Sequence, residues 1–173
     1  EVEACPGTNE PMSLEGTVVV TDGGWGVAEA FCQRMEIRGL NAVRIGFESN
    51  IRDPSVLDEK GRTVYRADPG QPEHIQWVCD QLKDESISAL IHMAPMKIAS
   101  AQWDEDTNPS SQINLAAHGW FSLLKAMNSR LVEGRAGIVA SVTAMDGRHG
   151  NIGERFNSVQ CAASGVTKSY AFE

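Results

Sequence analysis

The sequence lacks the features of several large classes of protein. No apolar run approaches the roughly 18 residues that a membrane-spanning helix needs. The four cysteines (Cys5, Cys32, Cys79 and Cys161) are far apart and form no CxxC pair, which favours free thiols in a reducing cytosol over a disulfide framework. The four histidines have no metal-ligand spacing, so we predict no metal site.

Positive charge is also scarce. The chain has 173 residues, with 15 lysines and arginines against 23 aspartates and glutamates, and a net charge of −8. An acidic chain binds phosphate backbones and anionic lipid poorly, so neither nucleic acid nor a membrane is a predicted partner. The N-terminus lacks the basic start and apolar run of a signal peptide, and we expect a cytoplasmic protein. Loop composition over residues 1–15 predicts a linker, followed by one domain over residues 16–173.

What the sequence contains is an alternation of strands and helices. Right-handed crossovers between such elements give an α/β fold with a doubly wound, Rossmann-type parallel sheet. The polar residues 48–61 are predicted to form a loop. The predicted strands cover 17–21, 42–47, 62–67, 87–93 and 137–142, and the predicted helices cover 27–37, 72–83, 113–131 and 157–172.

A glycine-rich turn follows the first predicted strand. The run TDGGWG at 21–26 lies where a Rossmann sheet holds the pyrophosphate of a dinucleotide, between a strand and the N-terminus of a helix. Glycine at this place lets the backbone come close to the phosphates. A tight turn that binds nothing can have the same composition, so the loop alone leaves both interpretations open.

This run resembles the TGxxxGxG loop of the short-chain dehydrogenases/reductases. It is more similar to the TGGxGGxG loop of the ketoreductase domains of polyketide and polyunsaturated-fatty-acid synthases. Other segments agree in order: IHMAP at 91–95 resembles the end of the family's fourth strand, SVT at 141–143 its fifth strand with the catalytic Ser, and GVTKSYAFE at 165–173 the helix after the catalytic Tyr. Asp68 matches the family's adenine-contacting Asp, and Asn114 matches the helix Asn of the stand-alone enzymes.

The resemblance implies a reaction, a cofactor and a partner. The reaction is hydride transfer from NADPH to a β-ketoacyl chain that an acyl carrier protein holds. In this chemistry a Tyr donates the proton, a Ser polarises the carbonyl group, and a Lys lowers the Tyr pKa. A stand-alone short-chain reductase is the alternative origin.

The catalytic positions depart from the family. Alignment backwards from the GVTKSYAFE segment puts the Tyr position on Phe156, the Lys position on Gln160 and the Ser position on Thr143. Alignment on the preceding glycine-rich loop moves the Tyr position to Asn157 and the Ser position to Ala144. Neither alignment supplies a Tyr, and a phenylalanine cannot donate a proton.

The cofactor loop departs from the family as well. Asp22 stands at a Gly position and would bring negative charge towards a pyrophosphate, and Trp25 at another Gly position could fill the space of the phosphates. Gly46 replaces the acidic residue that would bind a ribose 2′-hydroxyl, which disfavours NAD. Arg44 or Arg52 could instead meet the 2′-phosphate of NADP.

The sequence therefore predicts a ketoreductase-like domain that has become structural, with an active NAD(P)H-dependent reductase that uses an atypical proton donor as the alternative. Five predicted strands, where the full fold has six, lead us to expect that the C-terminal part of the fold is absent and that the chain belongs to a longer protein. The expected partners are an acyl carrier protein, neighbouring synthase domains and a second copy of the chain. Lys97 is predicted to be solvated, with a role near the site as the alternative. The candidate catalytic positions are Thr143 and Asn114, with Phe156 and Gln160 degenerate, and the candidate contacts to NADP(H) are Thr21, Gly23, Gly24, Gly26, Arg44, Asp68 and His92.

Overall fold

The computed structural model describes residues 15–98, 108–133, 137–144 and 158–171 of the chain. The predicted Tyr positions, Phe156 and Asn157, lie outside these described residues. The described strands are β1 (Thr17–Thr21), β2 (Asn41–Phe47), β3 (Ser55–Asp58), β4 (Thr63–Ala67), β5 (Ile87–His92) and β6 (Ile138–Ser141). The described helices are α1 (Val27–Ile37), α2 (Pro72–Gln81), α3 (Pro109–Ile113), α4 (Gly119–Glu133) and α5 (Gln160–Tyr170), with a 3₁₀ helix at Ala94–Ile98 and a π-helical turn at Asn114–His118.

The strands form one sheet in the order β3-β4-β2-β1-β5-β6, in which every neighbouring pair is parallel except β3 and β4. From β1 the chain winds outward to β2 and β4, and then crosses to the other side of β1 to form β5 and β6. The direction of winding reverses between β1 and β5, which makes this point the topological switch of the sheet. The predicted α/β fold with a doubly wound, Rossmann-type sheet is confirmed.

The predicted loop over residues 48–61 contains the strand that sequence reasoning missed. β3 pairs antiparallel with β4, so the described part of the chain has six strands rather than the five predicted. Val56 and Leu57 of β3 are exposed, because β3 lies at the edge of the sheet. A four-residue edge strand among polar residues shows no alternation of buried and exposed side chains, and this pattern is what predicts a strand.

The core lies on both faces of the sheet. Successive residues of β1 point to opposite faces: Val19 packs in the core that α2 and α4 cover, whereas Val18 and Val20 pack in the core that α1 covers. All five residues of β1 are buried, and the β-branched run TVVVT suits such a central parallel strand. Burial of each of these valine side chains contributes about 1.5–3 kcal/mol to folding.

The long helical segment before β6 starts at Pro109 rather than at the predicted Ile113. Asn108 caps it, because its side chain accepts a hydrogen bond from the Ser110 N–H at 3.0 Å. Proline at the first helical position leaves no donor unsatisfied.

A π-helical turn interrupts this segment where it passes the loop after β4. The Gly119 N–H donates to the Asn114 carbonyl, five residues back. Gly119 is needed for the close approach: a Cβ there would lie 2.5 Å from Pro69 Cβ and 3.2 Å from Phe47 Cε2.

Two features concern the described residues as a whole. None of the described helices is long and apolar enough to cross a membrane. No group of three His, Cys, Asp or Glu side chains suited to a metal ion occurs in the described part of the chain.

Burial raises the pKa of the Cys32 and Cys79 thiols to about 11, so both are protonated at neutral pH.

The packing at Gly119 can be tested by substitution. We expect Gly119→Ala to lower the free energy of unfolding by about 1–3 kcal/mol, because the added methyl group overlaps Pro69. The greater helix propensity of alanine offsets only about 1 kcal/mol of this. Gly165→Ala in α5 is the matched control, because among the described residues no atom beyond its own helix backbone and chain neighbours lies within 4 Å of a Cβ there, and it should gain stability. Urea unfolding measures both, and a gain in both variants would contradict the close packing.

Candidate cofactor cleft

The residues that follow the parallel strands meet at one end of the sheet. We call the five loops after β1, β2, β4, β5 and β6 the carboxyl edge. Open α/β sheets bind ligands at this end, where the winding reverses, which here is between β1 and β5. Arg44 lies in the middle of β2 and Gly26 caps α1, away from the strand ends. The other described candidates at or next to the strand ends are Thr21, Gly23, Gly24, Asp68, His92 and Thr143.

Thr21 and His92, the last residues of β1 and β5, form a buried hydrogen-bonded pair across the topological switch. Thr21 Oγ1 lies 2.8 Å from His92 Nδ1 and accepts hydrogen bonds from the N–H groups of Met93 and Ala94 at 3.0 and 3.1 Å. Because two N–H donors already use the hydroxyl oxygen, we assign its proton to the bond with His92 Nδ1. The imidazole proton is then on Nε2, which donates to the Ala116 carbonyl at 3.3 Å.

The His92 ring is enclosed by aromatic side chains. It stacks on Trp120, with ring centroids 4.7 Å apart and planes 3° from parallel, and it meets Phe47 edge-on at 6.3 Å. Burial lowers the pKa of His92 to about 3, so the ring is neutral at neutral pH. His92 and Thr21 are fully buried and hydrogen-bonded within the protein. Neither side chain offers a free polar atom to a cofactor.

The loop after β1 is held by its own carboxylate. Asp22 Oδ1 accepts a hydrogen bond from the Gly24 N–H at 2.8 Å. In a Rossmann sheet the pyrophosphate occupies this place and accepts hydrogen bonds from N–H groups of the loop and the following helix. Asp22 therefore satisfies a donor that a phosphate would use, and its negative charge would repel that phosphate.

Three successive residues of this loop have positive φ: Gly24 at 77°, Trp25 at 54° and Gly26 at 72°. Glycine adopts this conformation at little cost, but a residue with a Cβ pays roughly 1–2 kcal/mol. The Trp25 side chain is 66% exposed, so burial offsets little of that strain. The loop after β1 therefore presents an exposed tryptophan.

Lys97 spans the carboxyl edge, although the sequence predicts a solvated lysine. It follows β5 in the 3₁₀ helix, and its Nζ donates to the carbonyl of Phe47, the last residue of β2, at 3.1 Å. Because β1 lies between β5 and β2 in the sheet, the lysine side chain crosses the end of β1. Its Cγ would lie 3.8 Å from a Cβ placed on Gly24, so the aliphatic part runs beside the glycine loop.

Two further residues that the sequence predicts to contact the cofactor form their bonds within the protein instead. Arg44 pairs with Glu59, which follows β3, so its charge is already balanced by a carboxylate. Asp68 Oδ1 accepts the Gly70 N–H at 2.9 Å, and its Oδ2 accepts the Asn50 N–H at 2.8 Å. Asp68 thus organises the loops after β2 and β4.

The described residues do not fit a dinucleotide in this arrangement. A Rossmann sheet holds the pyrophosphate where the loop after β1 meets the next helix, and the adenosine ribose at the end of β2. In this chain the Asp22 carboxylate lies at the pyrophosphate place, and the Lys97 ammonium group donates a hydrogen bond to the last carbonyl of β2. The Gly23 backbone also lies directly against the Met93 carbonyl oxygen, with no room for a Cβ. A pyrophosphate that accepts the Gly24 N–H would have to displace Asp22, and a ribose at the end of β2 would have to share that place with Lys97.

The structure brings two of the four candidate catalytic positions together. Gln160 Oε1 accepts the Ala144 N–H at 2.8 Å, so the predicted Lys position lies beside the segment of Thr143 after β6. Gln160 is fully buried, and its Nε2 has no hydrogen-bond partner among the residues that the structure describes. Asn114 begins the π-helical turn, and its Nδ2 would lie 2.5 Å from a Cβ on Gly70 in the loop after β4.

Both tyrosines of the chain lie away from the carboxyl edge. Tyr65 is in β4, where its ring meets Trp77 of α2 edge-on with centroids 6.1 Å apart. Tyr170 ends α5, and its hydroxyl donates to Asn128 Oδ1 in α4 at 2.7 Å. Neither phenol is placed to donate a proton near Thr143.

No family model and no curated protein sequence matches the chain, but solved structures do. The match to gox2181 has a TM-score of 0.62 at 17% identity, over 88% of this chain and 63% of that one. An oxidoreductase of the short-chain dehydrogenase/reductase family from Burkholderia thailandensis gives 0.61 at 15% identity, over 94% and 64%. The fold is that of the short-chain dehydrogenases/reductases. A protein from Burkholderia multivorans assigned to this family, with bound NADP, gives 0.55 at 13% identity, over 90% and 72%.

The alignments of three of the matching structures each cover only about six-tenths of the matching protein's own chain. The alignments with gox2181 and the Burkholderia thailandensis protein cover 88% and 94% of this chain, so the sheet that carries the carboxyl edge belongs to the shared fold. Identity of 17% or less establishes the fold and leaves the chemistry to the residues at the site.

The buried state of His92 predicts how stability depends on pH. Its pKa is lowered from 6.5 to about 3 in the folded protein, so below pH 6.5 the unfolded chain binds a proton that the folded chain does not. The free energy of unfolding should therefore fall with decreasing pH, by up to about 1.4 kcal/mol per pH unit between these values.

Urea unfolding at several pH values measures this dependence. We expect His92→Gln to be less stable than the wild type at pH 7 and to lose this part of the slope. His118→Gln, at an exposed position, is the control and should keep the slope. Equal slopes in the wild type and His92→Gln would show that His92 titrates normally.

Proposed function

We propose that this chain is a ketoreductase-like domain of a polyketide or fatty-acid synthase that does not reduce a ketone by the usual route and acts as a structural part of a larger assembly. The observation that carries the proposal is the placement of its only two tyrosines, Tyr65 and Tyr170, outside the carboxyl edge.

Ketone reduction needs a proton donor for the developing alkoxide. The reductases that this chain resembles use a phenol held by a lysine, and loss of a positioned acid lowers the rate by about 10²–10⁴-fold. The two phenols of this chain contact Trp77 and Asn128, far from Thr143. Without another acid at the carboxyl edge, hydride transfer to a ketone would leave an unprotonated alkoxide.

Gln160 adds a second argument. A lysine at this position would supply positive charge beside a catalytic hydroxyl. The Gln160 amide is neutral, and its Oε1 is committed to the Ala144 N–H. This place now holds a buried polar contact that joins α5 to the end of β6, which is a structural role.

The reductase ancestry rests on the sequence motifs and on the fold. The TDGGWG and IHMAP segments lie at the ends of β1 and β5, which is where a short-chain dehydrogenase/reductase has the corresponding segments. The acyl carrier protein and neighbouring synthase domains as partners, a second copy of the chain and the cytoplasmic location remain proposals that rest on the sequence.

An active NAD(P)H-dependent reductase is the second candidate. Thr143 lies two residues after the end of β6, near the place of the catalytic hydroxyl in the family that the chain resembles. Matching structures were solved with NADP in the Burkholderia multivorans protein and with NAD and UDP in Bordetella bronchiseptica WbmG. This candidate requires the wild-type chain to bind and oxidise a nicotinamide cofactor.

Steady-state NADPH oxidation with a β-ketoacyl thioester surrogate separates the two candidates. We expect no turnover above the rate without protein. Turnover by the wild-type chain that Thr143→Ala abolishes, and that the control Thr63→Ala keeps, would establish the active reductase instead. Thr63 is an exposed threonine at the start of β4 and serves as the matched control.

A further inference from the structure

We propose that the chain closes its own dinucleotide cleft, with Lys97 as a strap across the end of β1 and Asp22 as an internal substitute for the phosphate anion. The inference deepens the proposed function, on which it rests for the class of ligand that is excluded. A domain that merely lost its proton donor would still bind NADPH, whereas a self-closed domain would not.

The strap is defined by its two ends. The backbone of Lys97 belongs to the 3₁₀ helix that follows β5, and its Nζ donates to the Phe47 carbonyl at the end of β2. The side chain therefore passes over β1, beside the topological switch. The adenosine half of a dinucleotide would have to occupy the same path to reach the end of β2.

Charge at the end of β2 also favours this position of the ammonium group. Glu48 follows Phe47 and forms an ion pair with Arg66. The Arg66 guanidinium, with a smaller contribution from Lys97, holds the pKa of Glu48 below its usual range. Lys97 thus lies within electrostatic reach of a carboxylate while its Nζ bonds the neighbouring carbonyl oxygen.

Asp22 acts at the other half of the cleft. Its carboxylate accepts the Gly24 N–H, and its own N–H donates to the Ile45 carbonyl at 2.8 Å, so backbone and side chain are both fixed. An incoming phosphate would have to displace the carboxylate from Gly24 and then remain close to its charge. The strap and the carboxylate therefore oppose the two halves of the same ligand.

A different role for Lys97 predicts the opposite result. A lysine near a nucleotide cleft can bind a phosphate group, and its removal would then weaken binding. If Lys97 is a strap, its removal strengthens binding, because one internal contact no longer has to break. The sign of the change in affinity therefore decides between the two roles.

Isothermal titration of the chain with NADPH and NADH measures this sign. We expect no saturable binding to the wild type, and Lys97→Ala should bind at least about tenfold more tightly, the change expected from release of one hydrogen-bonded contact. Asp22→Gly combined with Lys97→Ala should bind more tightly still. Lys97→Arg keeps a donor for the Phe47 carbonyl and should behave as the wild type. Lys83→Ala, at an exposed lysine after α2, is the matched control and should change nothing.

Each outcome decides the question. Saturable NADPH binding by the wild type that Lys97→Ala weakens would overturn the strap, and so would the absence of binding in every variant. If Lys97→Ala does not fold, as judged by circular dichroism, Lys97→Met keeps the aliphatic part and removes only the donor. NADPH oxidation measured on the same samples separates the two proposals: binding without oxidation by the wild type that Lys97→Ala leaves unchanged or weakens overturns the self-closed cleft alone, whereas oxidation by the wild type overturns the proposed function.

Discussion

The hydrogen bond between Thr21 and His92 joins β1 to β5 at the centre of the sheet, and the contacts around it follow from the same two side chains. The Thr21 hydroxyl also receives the N–H groups of Met93 and Ala94, which fixes the start of the 3₁₀ helix. Lys97 extends from that helix. One threonine oxygen at the end of β1 therefore fixes the start of the helix from which the Lys97 side chain extends.

The same pair positions the helices on one face of the sheet. His92 stacks on Trp120 of α4, whose Nε1 donates to Thr167 Oγ1 of α5 at 3.0 Å. The Thr167 hydroxyl in turn donates to the Ala163 carbonyl at 2.8 Å. This chain of contacts runs from the sheet through α4 into α5 and thereby places Gln160, at the start of α5, beside β6. Burial without charge at His92 suits such a role, because a protonated ring could not stay in this environment.

The sequence predicted those strands and helices whose own residues show a recognisable pattern. The β-branched runs of β1 and β5 and the turn residues around them are sufficient to define those strands, and with them the winding of the sheet. β3 has no such pattern, because an exposed edge strand of four residues buries too little to select for alternation. At the candidate site, a residue at a strand end can bind a ligand or join two strands, and its sequence position is the same in both cases. This is why Thr21 and His92 were predicted to contact a cofactor. The contact of Lys97 with Phe47 joins residues 50 positions apart and depends on the order of the strands, which no local pattern contains.

The antiparallel strand β3 gives the sheet two unequal margins. On one margin β3 covers β4, and the turn after β3 is tied to α1 by the pairs Lys60–Glu29 at 3.4 Å and Arg62–Glu36 at 3.0 Å. On the other margin β6 has no further strand beside it in the described part of the chain. Unpaired N–H and C=O groups of an edge strand are a template for another strand. An added strand would therefore meet a different partner at each margin: β3, which runs opposite to the rest of the sheet, or β6, which runs with it.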